Sequence, residues 1–592
     1  MRIGTSYYPE FCPPQDWDQD LARMRDAGVD VARVLDFAWS VIEPREGEYD
    51  WAWVDQFIEV ADRHRIDLVF CTPTATPPAW LATQYPQIMI ELRDGTRRPF
   101  GARRDIDVCS PIYRDYSCEI AARMAERYGQ HPRVIGWQID NELCGSEHTY
   151  PESHSPESTW RFRRWLRERY GTLDRLNDAW YLTFWNQRFS DWGEITTPRP
   201  DRTTHGWGID YSRFFSDMLV EYARLQYDAI RPLVSDEAWI THNSTAMFDR
   251  GLDHADMARA MDVGGWDAYY GAASAGHDYK PQFIGLATDW LRTATRKPVK
   301  IMETGSKDLS GELIELFAKH GADLTLIYHW RAKRGNVEQG GGVCGFDGKP
   351  RPDMMARVQD AVAAARSVAP AHAEPRPYAF VFSVDNFRAK MRRPHWVTKP
   401  DRPDYLDAMI PTYAAALDMV GPMDVVAPGQ PLHPYKAVFA PALRLMDPDA
   451  AEIFTGYVRN GGHLVVAGPM AHKSTTEVFH HTQGEPLREL LGVEVHFERR
   501  TELEGVQIQW SDGESHAAEG WVEVWDNTEG DVLARFLGGA LDGVPAVLHR
   551  KVGEGSVFFG AVTGPETVSK LVAHALKQLE QPDEHGTVSP SS

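Results

Sequence analysis

Two glutamates stand where chemistry is easiest to place. The run Val134-Ile135-Gly136-Trp137-Gln138-Ile139-Asp140-Asn141-Glu142 has the pattern of a buried strand ending in a carboxylate, and Val299-Lys300-Ile301-Met302-Glu303 repeats it far along the chain. Two carboxyls facing each other across a cavity are what glycosidic bond cleavage requires. One protonates the leaving oxygen, and the other attacks or supports the oxocarbenium-like centre. Glu142 is expected to be the acid/base, keeping its proton because of an apolar wall and a facing anion. Glu303 is expected to be the nucleophile, about 5–5.5 Å away if the enzyme retains configuration. Asn141 is placed to hold a sugar hydroxyl. Arg104 and Glu338 have the planar, charged groups that bind such hydroxyls, and Trp39, Trp80, Trp137, Trp185, Trp266, Tyr269 and Trp330 offer faces for sugar C–H groups.

Bringing the two glutamates together is a task for the fold. Eight β-branched runs, at Ile3–Ser6, Asp30–Asp36, Asp67–Pro73, Val134–Asn141, Ala238–Asn243, Met261–Trp266, Val299–Thr304 and Leu324–Trp330, alternate with amphipathic segments such as Trp17–Ala27 and Tyr116–Tyr128. That alternation predicts an α/β chain whose residues 1–370 form a (β/α)8 TIM barrel, with the glutamates at the carboxyl ends of strands four and seven. The Pro- and Ala-rich stretch Pro370–Tyr378 is a linker. Runs at Ala379–Val384, Ala437–Pro441 and His463–Gly468, with helices at Ala450–Arg459 and Glu566–Leu579, predict a flavodoxin-like α/β domain over 376–580. Between Val493 and Phe559 the chain is strand-rich, and 581–592 is expected to be a disordered tail.

Composition narrows the partners. With 63 Lys and Arg against 85 Asp and Glu, the net charge of −22 argues against a nucleic-acid or membrane surface. The basic segment Arg388–Arg402 is then a solvated or subunit-contacting loop. No run of 18 apolar residues predicts a membrane span. The sequence MRIGTSYYPE lacks a secretory apolar core, and six cysteines without a CxxC pair suit a reducing cytoplasm.

The motifs then converge on one family. Arg33-Val34-Leu35-Asp36-Phe37-Ala38-Trp39-Ser40 with Glu43-Pro44, Arg103-Arg104, Ser110-Pro111-Ile112-Tyr113-Arg114 and Gly136 to Glu142 resemble glycoside hydrolase family 42. So do Phe184-Trp185-Asn186-Gln187, Thr241-His242-Asn243, Trp266-Asp267-Ala268-Tyr269 and Met302-Glu303. The resemblance implies a retaining β-galactosidase acting on a glycoside or oligosaccharide, a barrel followed by an α/β trimerisation domain, and a homotrimer. It implies Glu142 as acid/base, Glu303 as nucleophile, Arg104, Asn141 and Glu338 on sugar hydroxyls, and Trp185 near a subunit contact.

Several departures stand out. After Glu303 the family usually shows Gln and then Asn-Trp, whereas here the run is Thr304-Gly305-Ser306-Lys307-Asp308. Three residues after Glu338 it usually shows His, and here Gly341 stands in a triple-glycine run. Related glycones with galactose's axial hydroxyl but not its full C6 arm, α-L-arabinopyranosides and β-D-fucosides, are therefore the alternative substrates, and a carbohydrate-binding protein without catalysis is the alternative class. Some family members hold zinc on four cysteines, but Asp107 occupies one of those positions. Glu147, His148 and His154 without thiolates are a poor substitute, so no metal and no cofactor are expected. The family's small C-terminal β-domain is expected to be missing.

Overall fold

The computed structural model describes residues 1–144, 152–199, 204–248, 251–269, 280–369, 372–391, 405–481, 484–497 and 503–579. The chain divides into two units, Met1–Pro375 and Arg376–Ser592.

In the first unit eight strands follow one another as parallel neighbours. They are β1 (Arg2–Ser6), β2 (Val31–Val34), β3 (Asp67–Cys71), β4 (Val134–Gln138), β5 (Trp239–Thr241, continued by Asn243–Ser244), β6 (Gly265–Asp267), β7 (Val299–Gly305) and β8 (Ala322–Tyr328). Closure depends on β5, which changes partner at His242. Before it, Trp239–Thr241 pairs with β4; after it, Asn243–Ser244 pairs with β6. β8 pairs back onto β1, completing a closed parallel barrel. The sixth strand begins at Gly265 rather than at Met261, because Met261 still closes the preceding helical turn through its N–H to the Ala258 carbonyl.

Helices cover the barrel for the reasons the sequence suggests. α1 (Pro14–Asp26) starts with proline at its first position and buries Trp17, Leu21 and Met24. α2 (Pro111–Tyr128) is capped by the Ser110 hydroxyl, which accepts from the Tyr113 N–H. Inside, Val31, Val69, Met302, Leu324 and Leu326 form a dry cluster, each adding about 1.5–3 kcal/mol of burial. Gly136 lacks a side chain because a Cβ there would sit 2.5 Å from the Trp239 ring.

The second unit is an open sheet. β9 (Tyr378–Val381), β10 (Asp424–Val426), β11 (Ala437–Pro441), β12 (His463–Ala467) and β17 (Gly555–Gly560) run parallel in spatial order β10-β9-β11-β12-β17, the flavodoxin-like order. Four antiparallel strands extend that edge: β13 (Gln507–Trp510), β14 (Ser515–Ala517), β15 (Asp531–Leu537) and β16 (Pro545–Val552). Helix α3 (Pro565–Leu579) packs Val568, Leu571 and Val572 onto this core. The expected tail and most of the basic segment after Arg388 lie outside the described residues. Arg388 itself is buried and pairs with Asp385 at 3.3 Å.

Candidate active site

Strand ends deliver the acidic groups, and local backbone irregularities aim them. Beyond β4, both Asp140 and Glu142 adopt left-handed conformations, with φ of 53° and 55°. Non-glycine residues persist there only when their surroundings enforce it. His242, at the break in β5, supplies that enforcement. Its Nδ1 bonds the Ile139 carbonyl at 2.8 Å, and its Nε2 accepts the Leu143 N–H at 3.1 Å. Burial pushes this imidazole down to about 4, so it is neutral and can do both. Asn243 Oδ1 accepts the Glu142 N–H at 3.0 Å.

On the opposite side, β7 carries a bulge. Trp266 stands opposite Ile301, but Asp267 stands opposite Glu303, so Met302 is the extra residue. Met302 fills the core while the neighbouring Glu303 faces the barrel mouth, a common use of a bulge beside a site.

The two glutamates therefore meet. One carboxyl oxygen from each of Glu142, Asp267 and Glu303 lies within 4.8 Å of the others. At that spacing each pair of anions would repel by about 3–4 kcal/mol at an effective dielectric near 20, so cations or protons must intervene. Two guanidiniums do. Arg33, wholly buried on β2, bonds Glu303 at 2.6 Å and also pairs with Asp36. Arg104 is buried with a left-handed φ of 66° and pairs with Glu142. Asp267 has neither guanidinium as an ion-pair partner, and burial followed by the Glu303 charge holds it well above the usual carboxylate range, against the pull of Arg33, Asn243 and Arg104. Asn141 is buried; its Nδ2 donates to Glu142 Oε2 at 3.3 Å. The Tyr269 hydroxyl donates to Glu303.

A second cluster borders the first. Glu338 Oε2 accepts from Lys333 Nζ at 2.5 Å and from the Tyr328 hydroxyl at 2.6 Å. Arg103 lies 3.6 Å from Glu338 and 3.7 Å from Glu142, bridging the two clusters. Burial works against ionising Glu338, but Lys333, Tyr328 and Arg103 hold it down to about 2.

Of the expected site residues, Glu142, Glu303, Asn141, Arg104, Tyr269 and Glu338 thus gather in these two clusters. Trp330 does not join them as a sugar platform. It is 0% exposed, and Trp137 and Trp266 are equally enclosed, because apolar rings near the strand ends are absorbed into the barrel core. Tyr328, two residues earlier, does reach the second cluster, donating its hydroxyl to Glu338. Trp185 is 61% exposed in a left-handed turn and stacks on Phe184 at 4.7 Å. Arg33, Asp267, Asn243, His242, Tyr328 and Lys333 were not among the expected site residues. Arg33 had a visible signal, a lone charge amid the apolar residues of a buried strand; the others needed the tertiary contacts.

Of the residues considered as a substitute for the zinc cysteines, Glu147 and His148 lie outside the described residues. His154 stacks on Tyr211, and Asp107 accepts from the Cys109 N–H at 2.9 Å and from Ser158 Oγ at 3.4 Å. The donors around Asp107 are hydroxyls and amides rather than thiolates.

A closed parallel barrel with two facing carboxylates at its mouth, each paired with a buried arginine, is the machinery of a glycoside hydrolase. The β-galactosidase model of glycoside hydrolase family 42 matches residues 6–367, and the β-galactosidase trimerisation-domain model matches residues 377–581. The chain belongs to glycoside hydrolase family 42. The β-galactosidase Bga of Halorubrum lacusprofundi is 34% identical over 97% of this chain and 87% of its own length. BglY of Alicyclobacillus acidocaldarius, also a β-galactosidase, is 30% identical over 94% of this chain and 84% of its own. The solved β-galactosidase from the haloarchaeon Halorubrum lacusprofundi superposes with a TM-score of 0.90 at 32% identity, covering 98% of this chain and 90% of that one.

Proposed function

We propose that this enzyme is a retaining exo-glycosidase that releases galactose from terminal non-reducing β-D-galactosides. One observation carries the reading: Glu142 and Glu303, from opposite sides of the barrel, bring carboxyl oxygens within 4.8 Å of each other. That proximity favours the close retaining arrangement, about 5–5.5 Å between carboxyls, over the wider one that inversion needs to admit a water, and suits direct attack. Glu142 protonates the glycosidic oxygen as Glu303 attacks the anomeric carbon, giving a galactosyl ester on Glu303. Water then enters, Glu142 takes its proton, and the ester is cleaved with net retention. Asn141, Arg104, Tyr269 and Glu338 hold the glycone, with Arg33 orienting the nucleophile.

The match to the trimerisation-domain family supports a homotrimer, in which the exposed Phe184–Trp185 pair enters a subunit contact. Six free cysteines support a reducing, cytoplasmic setting. Among the described residues no helix is long and apolar enough to cross a membrane.

The test is a panel of nitrophenyl glycosides, including β-galactoside, α-L-arabinopyranoside and β-D-fucoside, with product configuration read by NMR. Glu303→Gln should lower kcat by about 10⁴-fold or more while sugar binding remains measurable. Inverted product, or unchanged turnover in E303Q, contradicts the assignment. Light scattering reads the assembly, and a monomer contradicts the trimer.

A further inference from the structure

Because of the bulge at Met302, Asp267 ends β6 directly across the ladder from Glu303. Asp267 is only 4% exposed. Its Oδ2 accepts from Asn243 Nδ2 at 2.8 Å, and the same amide group donates to Asn141 Oδ1 at 2.9 Å. Through its other end Asn243 accepts the Glu142 N–H, and Asn141 reaches the Glu142 carboxylate. A continuous hydrogen-bonded chain therefore runs from Asp267 to both the backbone and the side chain of Glu142. Oδ1 of Asp267 is enclosed and has no hydrogen-bond partner.

Charged groups face this carboxyl from several elements: Glu303 on β7, Arg33 on β2, Arg104 beyond β3 and Glu142 beyond β4. Both guanidiniums are committed elsewhere, Arg33 to Asp36 and Glu303, and Arg104 to Glu142. An ionised Asp267 would be a fourth carboxylate beside two cations already engaged by three others.

We propose that Asp267 is a positioning residue for glycoside cleavage that works as the neutral carboxylic acid, anchoring Asn243, and through it Asn141 and Glu142, by Oδ2 while Oδ1 carries the proton. The proton leaves Glu303 as the ionised member of the facing pair on β6 and β7, the division of labour that adjacent carboxyls need. The same direction follows from the burial of Asp267 and from the Glu303 charge. This inference rests on the reading of Glu303 as nucleophile and Glu142 as acid/base.

Asp267→Asn tests it, since the amide oxygen accepts from Asn243 and the NH2 replaces the O–H. The D267N enzyme should recover most of the kcat that D267A loses, with a pH–kcat curve of the parent's shape. Asp267→Ala, which removes the anchor, should lower kcat about 100-fold and raise KM as well, because the chain it anchors holds both the acid/base and the glycone-binding Asn141. If D267N is as slow as D267A, the charge is required and the inference fails; a fully active D267A also overturns it. So does a D267N chain that does not fold, because a neutral isostere of a neutral acid leaves the network intact. An infrared difference spectrum, parent minus D267N at pH 7 without substrate, should show the carbonyl stretch of a protonated carboxyl, and a carboxylate band instead overturns the proposal. Turnover surviving in E303Q would sink the nucleophile assignment separately, without touching that band.

Discussion

Replacing Lys333 by Met should make substrate binding sensitive to acid. In the parent enzyme Glu338 is held down to about 2, mainly against its own burial, by the Lys333 and Tyr328 hydrogen bonds. The fall from its ordinary 4.5 to about 2 corresponds to roughly 3 kcal/mol at 1.36 kcal/mol per pH unit. The Glu338 side chain is 37% exposed, so solvent screening reduces the usable interaction to about 1–2 kcal/mol. A carboxylate with a lowered pKa stays ionised down to that value. Without Lys333 the burial cost remains and only Tyr328 and Arg103 oppose it, so Glu338 takes up its proton at a higher pH than in the parent. A protonated Glu338 loses part of its acceptor capacity toward the glycone hydroxyls, a loss of about 1.5–3 kcal/mol for a charge-assisted bond. The assay is initial-rate kinetics on nitrophenyl β-galactoside from pH 4.5 to 8, with KM and kcat resolved. In K333M, KM should rise more steeply than the parent's as the pH falls from 7 to 4.5, while kcat follows the parent. Parallel KM profiles for the two enzymes would refute the argument, because Glu338 would then not depend on Lys333 for its charge.

Two further predictions concern buried groups around the site. His242→Leu leaves the Leu143 N–H without its acceptor and should cost about 1–3 kcal/mol of stability, with a lower kcat because Glu142 loses its enforced left-handed turn. The parent should also lose stability as pH falls from about 6.5 to about 4, since the unfolded imidazole takes a proton that the buried one refuses; H242L should lack this component of the pH dependence, read by thermal melting. Glu10 is enclosed without a hydrogen-bond partner, and burial pushes it up to about 8. Its folded form binds the proton more tightly, so it costs stability as pH rises from about 4.5 to 8. Glu10→Gln should therefore melt higher than the parent at pH 8 and nearly match it at pH 4.5, and equal melting points at pH 8 would contradict this.

The sequence by itself determined the barrel, the order of its strands and the two glutamates at the ends of strands four and seven, because each rests on local pattern. β-branched runs alternating with amphipathic helices require a parallel sheet, and a strand ending in Asn-Glu or Met-Glu places its carboxylate at the mouth. The open sheet after the linker was legible for the same reason. What the tertiary structure decided is the company those glutamates keep. Arg33 and Asp267 become site residues only when β2, β6 and β7 are side by side and the bulge at Met302 brings Asp267 opposite Glu303. His242 matters because the fifth strand changes partners there, a property of closure that no window of sequence contains. The tryptophans show the converse: their type suggested sugar platforms, but Trp137, Trp266 and Trp330 went into the core, where a large apolar ring gains most from leaving water. Local spacing fixes which residues are available at a strand end, whereas charge pairing and burial depend on neighbours hundreds of residues away.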